Sequence, residues 1–454
     1  MIERDGFRPC LRLGYPVFAP VSYCAPRSAT PPERGLDLAV KEKLMADIRP
    51  FAAVMPPRDR AQKVAEPPYD VLSTEEARRL AEGNPLSFLR VARAEIDLAV
   101  GTDPYSEEVY ERALSNYRRL CREVPLLSEP RPRYYVYSLL MNTRRQTGVV
   151  AAAAVDDYDA GVIRKHEKTR KDKEDDRTRH LMTLRSQTGP VFLTYRDSAA
   201  VDVIVARTMG DEPAFDFVAL DGIQHTGWRV ADRDTDLLRR AFAEVPRLYI
   251  ADGHHRAASA SRTRTALCKR NAAHSGREEY NAFLGVIFPA SQLRILPYNR
   301  LVLDLQGRSP ASFLEALAPT PFRLEPAPSP VPTQGGTIHL YIEGRWWSLS
   351  FSGERRALSP VDQLDVSLLQ NYVLGPLLGI EDPRTSKRLD FVGGIRGTGE
   401  LEKRVNAGTA ALAFSLFPTS LDQLMAISDA DQIMPPKSTW FEPKLRDGLF
   451  IHDI

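Results

Sequence analysis

Two apolar runs, "RYYVYSLLM" (133–141) and "TGVVAAAAV" (147–155), flank a short polar turn. Their continuous apolar character predicts a pair of buried strands. "PVFLTYRD" (190–197), "RLYIADG" (247–253) and "FLGVIFP" (283–289) repeat the pattern, and "LRILPYNRLVLDL" (293–305) is expected to extend the same sheet. "TIHLYIEG" and "RWWSLSFSG" (337–353) predict a further strand pair, and "TAALAFSLFP" (409–418) one more strand. Between them the period changes. "STEEARRLAEGN" (73–84) opens on a Ser-x-x-Glu capping box and closes on Gly83, the two ends of a helix. "EEVYERALSNYRRLCRE" (107–123) is a longer amphipathic helix, and two more are expected around Leu364–Leu378 and Glu400–Asn406. Interspersed strands and helices of this kind predict an α/β or α+β fold with mixed sheets and flanking helices.

The first 44 residues break the pattern: "GYPVFAPVSYCAPRSATPPERGLD" has neither helical nor alternating period and is expected to be a disordered extension. Met45 offers an alternative start. Residues 45–305 are expected to form the catalytic core. Residues 306–454, which include the Pro-rich stretch "EPAPSPVPTQGG" (325–336), are expected to form a C-terminal α+β region. At 454 residues, 43% hydrophobic and 26% charged, the chain reads as an ordinary globular protein. A net charge of +2 gives no basic field for nucleic acid, and no apolar run approaches the ~18 residues of a membrane span. The opening "MIERDGF" lacks the order of a secretory signal, and Cys10, Cys24, Cys121 and Cys268 are too scattered for a zinc knuckle or disulfide framework. A cytoplasmic protein is expected.

The chemistry concentrates at "LYIADGHHRAASAS", read as strand, tight turn and helix. The first N–H groups of such a helix lack intrahelical partners and sit at a positive dipole end, so an anion is favoured there. Gly253 permits close approach of a ligand, His254 and His255 offer ring N–H donors, and Arg256 offers a planar fork for phosphate oxygens. Asp252 can cap the helix, orient a histidine or coordinate Mg²⁺. Adjacent histidines diverge on a helix, which argues against His254 and His255 sharing a zinc ion.

Long stretches here resemble the bacterial and archaeal "domain of unknown function" family one thousand and fifteen: "IRPFAAV", "PPYDVLSTEEAR", "GNPLSFLRV", "HEKT", "YIADGHHR", "LPYNRLV", "FVGG" and "MPPKSTWFEPKLRDGLF". The Asp-Gly-His-His-Arg corner is similar to the Asp-Gly-His-Thr-Arg motif of free serine kinases, which group with the partition-protein nucleotide-binding domain and sulfiredoxin. Family members are also similar to pyrophosphate-dependent serine kinases. The resemblance implies phosphoryl transfer between ATP, ADP or pyrophosphate and free serine or a related small alcohol, or the reverse on phosphoserine.

Within "RKHEKTRKDKEDDRTRH" (164–180), His166, Glu167, Lys168 and Thr169 form a compact acid/base group, and Asp176-Arg177 is expected to begin a helix. Lys168 and Arg177 suit phosphoryl oxygens, His166 the substrate, and Glu167 is a candidate base or Mg²⁺ ligand alongside Asp252. Asp70 and Glu66 are candidate bases for a serine hydroxyl, with Asp70 slightly ahead because prolines fix its approach. Lys437, Ser438 and Thr439 supply an ammonium and two hydroxyls for phosphate, and Arg90 a cation for a substrate carboxylate. Two other readings compete. One is a nucleotide-sensing protein of partition type. The other is a metal-dependent hydrolase built on Asp252, His254, His255, His166 and Glu167.

Overall fold

The two apolar runs pair in register, Tyr135–Met141 antiparallel to Arg144–Ala154, at the centre of a nine-stranded sheet. The computed structural model describes residues 45–124 and 126–454; the extension expected over residues 1–44 lies outside them. Across the sheet the order is Ile163–Arg164, Leu248–Asp252, Val191–Tyr195, Ala282–Pro289, Arg144–Ala154, Tyr135–Met141, Gln224–Arg229 and Phe215–Val218. Ile48–Arg49 adds a short ninth strand beside Arg144–Ala154. Pairing is mixed: Val191–Tyr195 runs parallel to Ala282–Pro289 but antiparallel to Leu248–Asp252.

Both faces of this sheet are covered, which is why its strands read as unbroken apolar runs rather than alternating ones. Val149, Ala151 and Ala153 pack on one side with Leu193, Ile250 and Phe283, under the helices Ala199–Thr208, Asp232–Phe242 and His254–Arg270. Val150 and Ala152 pack on the other with Phe192, Ala251 and Phe288. That second core continues into a six-stranded antiparallel sheet ordered Phe322–Pro326, Arg345–Phe351, Thr337–Ile342, Leu412–Leu416, Tyr298–Val302 and Leu389–Gly393. The fold is therefore mixed α/β.

Two expectations are corrected. "LRILPYNRLVLDL" does not extend the first sheet: Pro297 divides it, so that Ile295–Leu296 pairs with Trp440–Phe441 and Tyr298–Val302 joins the second sheet. Asp176 and Arg177 do not open a helix but lie inside Lys171–Leu184, whose charged first turn faces solvent. The Pro-rich stretch 325–336 is an excursion within the second sheet, joining the strands Phe322–Pro326 and Thr337–Ile342. Elsewhere the local signals hold. Ser73 makes both bonds of its capping box on Thr74–Leu80, and the helix Glu107–Glu123 has the expected ends.

The last twenty residues return across the first sheet. The Met434 N–H donates to the His166 carbonyl at 2.8 Å, Glu66 and Asp447 exchange backbone bonds, and His452–Asp453 pairs with Ser186–Gln187. Among the described residues no helix is long and apolar enough to cross a membrane.

Candidate functional site

The buried strand Leu248–Asp252 ends at Gly253, which takes φ +93° before the helix His254–Arg270 begins. A side chain there would sit 3.2 Å from the Arg256 guanidinium and 3.4 Å from the Val191 backbone. Both the left-handed angle and the space thus require glycine. Gly253→Ala is expected to destabilise the protein by about 1–2 kcal/mol, read as a lowered denaturant midpoint with an unchanged slope. No side chain caps the amino end of this helix, so its first N–H groups have no side-chain partner.

Asp252 is bonded on both oxygens. Oδ1 accepts from the Gly253 N–H at 2.9 Å, and Lys444 Nζ donates to Oδ2 at 3.0 Å. Burial raises this carboxyl, but the Lys444 ammonium and the Arg256 guanidinium outweigh it and hold Asp252 well below the ordinary carboxylate value. Arg256 donates through Nη1 to the Pro190 carbonyl, while its Nε is buried with no partner. His254 and His166 meet edge to face, ring centroids 4.5 Å apart, and Glu167 Oε2 lies 4.0 Å from His254 Nδ1. Burial pushes His166 down to about 4 and His254 well below its usual value, so both rings are neutral at physiological pH. The Ile250 backbone approaches His166 without hydrogen-bond geometry. Glu167 is raised, by burial first and then by Asp252 and Asp70, against the pull of Lys437.

Asp70 faces this corner from the loop before Thr74–Leu80. It is exposed, makes no hydrogen bond or ion pair among the described residues, and lies within electrostatic reach of Arg256, His255, Glu167 and Lys437. His255 is held by the Arg170 N–H, which donates to its Nε2 at 3.1 Å and so leaves the proton on Nδ1. Lys437, at φ +57°, stays protonated: burial opposes the charge, but Tyr298, Glu167 and Asp70 favour it. Behind Arg256 a cavity of about 60 Å³ is lined by Arg177, Tyr69, Gln187 and Asp447. Arg177 is paired with Asp176 and stacks 4.1 Å over the Tyr69 ring.

Two buried acids stand at the edge of the corner. Burial lifts Glu66 to about 7 against Ser87 and Arg446. It lifts Asp447 to about 7 as well, with Asp70 adding to the rise and Arg256, Arg177 and Arg446 opposing it. A carboxyl raised in the folded state favours folding while both states hold the proton, and that advantage disappears as pH rises from its unfolded value to its folded one. For Glu66 this window runs from 4.5 to about 7. Glu66→Gln should therefore gain stability relative to the wild type across that interval, by about 3 kcal/mol in total. Parallel melting curves for the two proteins between pH 5 and pH 8 would contradict this.

The structure thus brings together Asp252, Gly253, His254, His255, Arg256, His166, Glu167, Asp70 and Lys437, with Arg177 lining the cavity behind. Others stay apart. Arg90 is held by Asp97 and by the carbonyls of Asn84 and Ala81, with each of its three nitrogens already engaged by the protein. Ser438 is buried and donates to the Pro435 carbonyl at 2.6 Å, which closes its own turn. Thr439 is half-buried beside it. Lys168 lines a groove with Arg384 and Pro435 that adjoins the corner through Glu167. Lys444 and Asp447 were not anticipated. The only hint was the position of both in the unusually polar and Pro-rich tail.

A model of the family described as "Protein of unknown function (DUF1015)" matches residues 48–367. No curated protein matches the chain. Among solved structures it is similar to a free serine kinase in complex with AMP, at 12% identity and a TM-score of 0.35, covering 68% of this chain and 91% of that one. A conserved hypothetical protein from Pyrococcus furiosus gives 12% identity, a TM-score of 0.34 and coverage of 67% and 95%. C-terminally truncated SbnI from Staphylococcus aureus gives 10%, 0.36, and 67% and 87%.

Proposed function

Starting from the fact that the chain belongs to the DUF1015 family of proteins of unknown function, we propose that it transfers a phosphoryl group between ATP, ADP or pyrophosphate and free serine or a similar small hydroxylated metabolite. The observation that carries this reading is the uncapped helix end at Gly253 with Arg256 folded back beside it, its Nε buried and unpartnered. Such an end gathers N–H donors and positive potential at one point, the requirement for a phosphate group. The likeness of Asp-Gly-His-His-Arg to the free serine kinase motif supports it.

In this reading the transferring group lies between the helix end, Arg256 and Lys437, whose charges offset the negative charge spread over its equatorial oxygens. The substrate hydroxyl approaches from the Asp70 side. Its oxygen attacks phosphorus, its proton passes to the Asp70 carboxylate, and the bond to the leaving phosphate oxygen breaks. His254, neutral, offers a hydrogen bond without adding charge. Lys444 keeps Asp252 ionised and occupied, so Asp252 orients the corner rather than binding Mg²⁺. Mg²⁺ would be held chiefly by the donor's phosphates and water. Residues 45–305 would supply this core, and residues 306–454 the returning tail with Lys437 and Lys444.

The test is incubation of the purified chain with serine, Mg²⁺ and each donor in turn. Phosphoserine should appear with at least one. Its absence with all three, together with no phosphate release from phosphoserine, would sink the reading. Nucleotide binding with no dependence on serine would instead mark a sensing protein.

A further inference from the structure

His166, just beyond the strand Ile163–Arg164, is 2% exposed, and His254, at the head of the corner helix, is 5% exposed. Both ring nitrogens of His166 and Nε2 of His254 are buried without any hydrogen-bond partner. Folded proteins seldom leave such atoms bare, because each gives up its hydration and gains no partner in return. Three on two touching rings is a deficit that packing does not repay. Glu167 closes the group: one ligand atom from each of the three residues lies within 4.8 Å of the other two.

Two imidazoles and one carboxylate suit a borderline metal ion better than Mg²⁺, which takes oxygen ligands. We propose that His166, Glu167 and His254 bind one divalent transition-metal ion of the zinc class, with an open coordination position towards the helix end at Gly253. Zinc bonds of about 2.0–2.2 Å put ligand atoms roughly 3.3 Å apart. A separation of up to 4.8 Å must therefore close by about 1.5 Å, to which torsions of the half-buried Glu167 side chain contribute. Three protein ligands and a free position form the pattern of zinc sites that act on a substrate, in contrast to closed structural ones. Asp252 lies within electrostatic reach of both imidazoles. The two histidines come from separate elements, so the divergence of adjacent side chains at His254 and His255 is no obstacle. The site does not depend on the phosphotransfer reading, since metal uptake is measured with no donor present.

In the test, the full chain is stripped with chelator, repurified and titrated with Zn²⁺ and, separately, with Co²⁺. One ion per chain is expected, with visible d–d bands for Co²⁺. Zinc affinity should fall by on the order of 100-fold or more in each of His166→Asn, His254→Asn and Glu167→Gln, while His274→Asn keeps the parental value. A chain that takes up no ion, or variants that bind zinc as tightly as the parent, overturns the proposal. If a histidine variant does not fold, Glu167→Gln decides together with the wild-type melt. The melt should rise with Zn²⁺ but not with Mg²⁺, and equal behaviour with both ions counts against the site.

Discussion

Replacing Arg256 by alanine is expected to weaken binding of pyrophosphate or ATP by at least about 100-fold, or about 2.7 kcal/mol. The guanidinium has one N–H on the Pro190 carbonyl and a buried Nε with no partner, so it is positioned by the protein and still short of an acceptor. A charge-assisted bond to phosphate from such a pre-set group is worth more than one from a flexible surface cation. Arg256→Lys should recover little, because an ammonium cannot hold the Pro190 carbonyl and present a fork at once. Calorimetric titration of both variants measures the effect, with thermal melts to separate lost binding from lost fold. Affinity within threefold of the wild type in a folded Arg256→Ala protein would remove the anion corner.

Asp70→Asn is the second large effect, a fall in kcat of about 10²–10⁴ with KM nearly unchanged. Asp70 is exposed and makes no hydrogen bond or ion pair among the described residues, so nothing structural depends on its charge. The variant should melt within about 0.5 kcal/mol of the parent. Unaltered kcat would transfer the role of base elsewhere.

The corner itself was legible because its signal is local. An apolar strand, a glycine that alone tolerates φ +93°, and an Ala-rich helix follow one another within a few residues. The capping box at Ser73 was legible for the same reason. What could not be read were contacts between distant segments. His166 and His254 touch across nearly ninety residues, and nothing in either neighbourhood announces the other. Lys444 reaches Asp252 from the tail, where the more conspicuous Lys-Ser-Thr triplet drew the assignment, yet Ser438 serves its own turn. Arg90 looked available for a substrate because its partner Asp97 is a further turn along the chain. Long apolar runs were recognised as strands, but not which sheet each would enter. Pro297 was visible, and its effect was to send Tyr298–Val302 to a different layer.

The return of the tail couples the corner to the core. Lys444 touches Asp252, Asp447 is tied to Glu66, and His452–Asp453 zips onto Ser186–Gln187. A chain without residues 443–454 loses the Lys444 ammonium at Asp252 and, with Leu445, Leu449, Phe450 and Ile451, part of the buried core. The anion corner and the core beneath the sheet are therefore completed by one and the same segment, so removal of residues 443–454 should cost stability together with anion affinity.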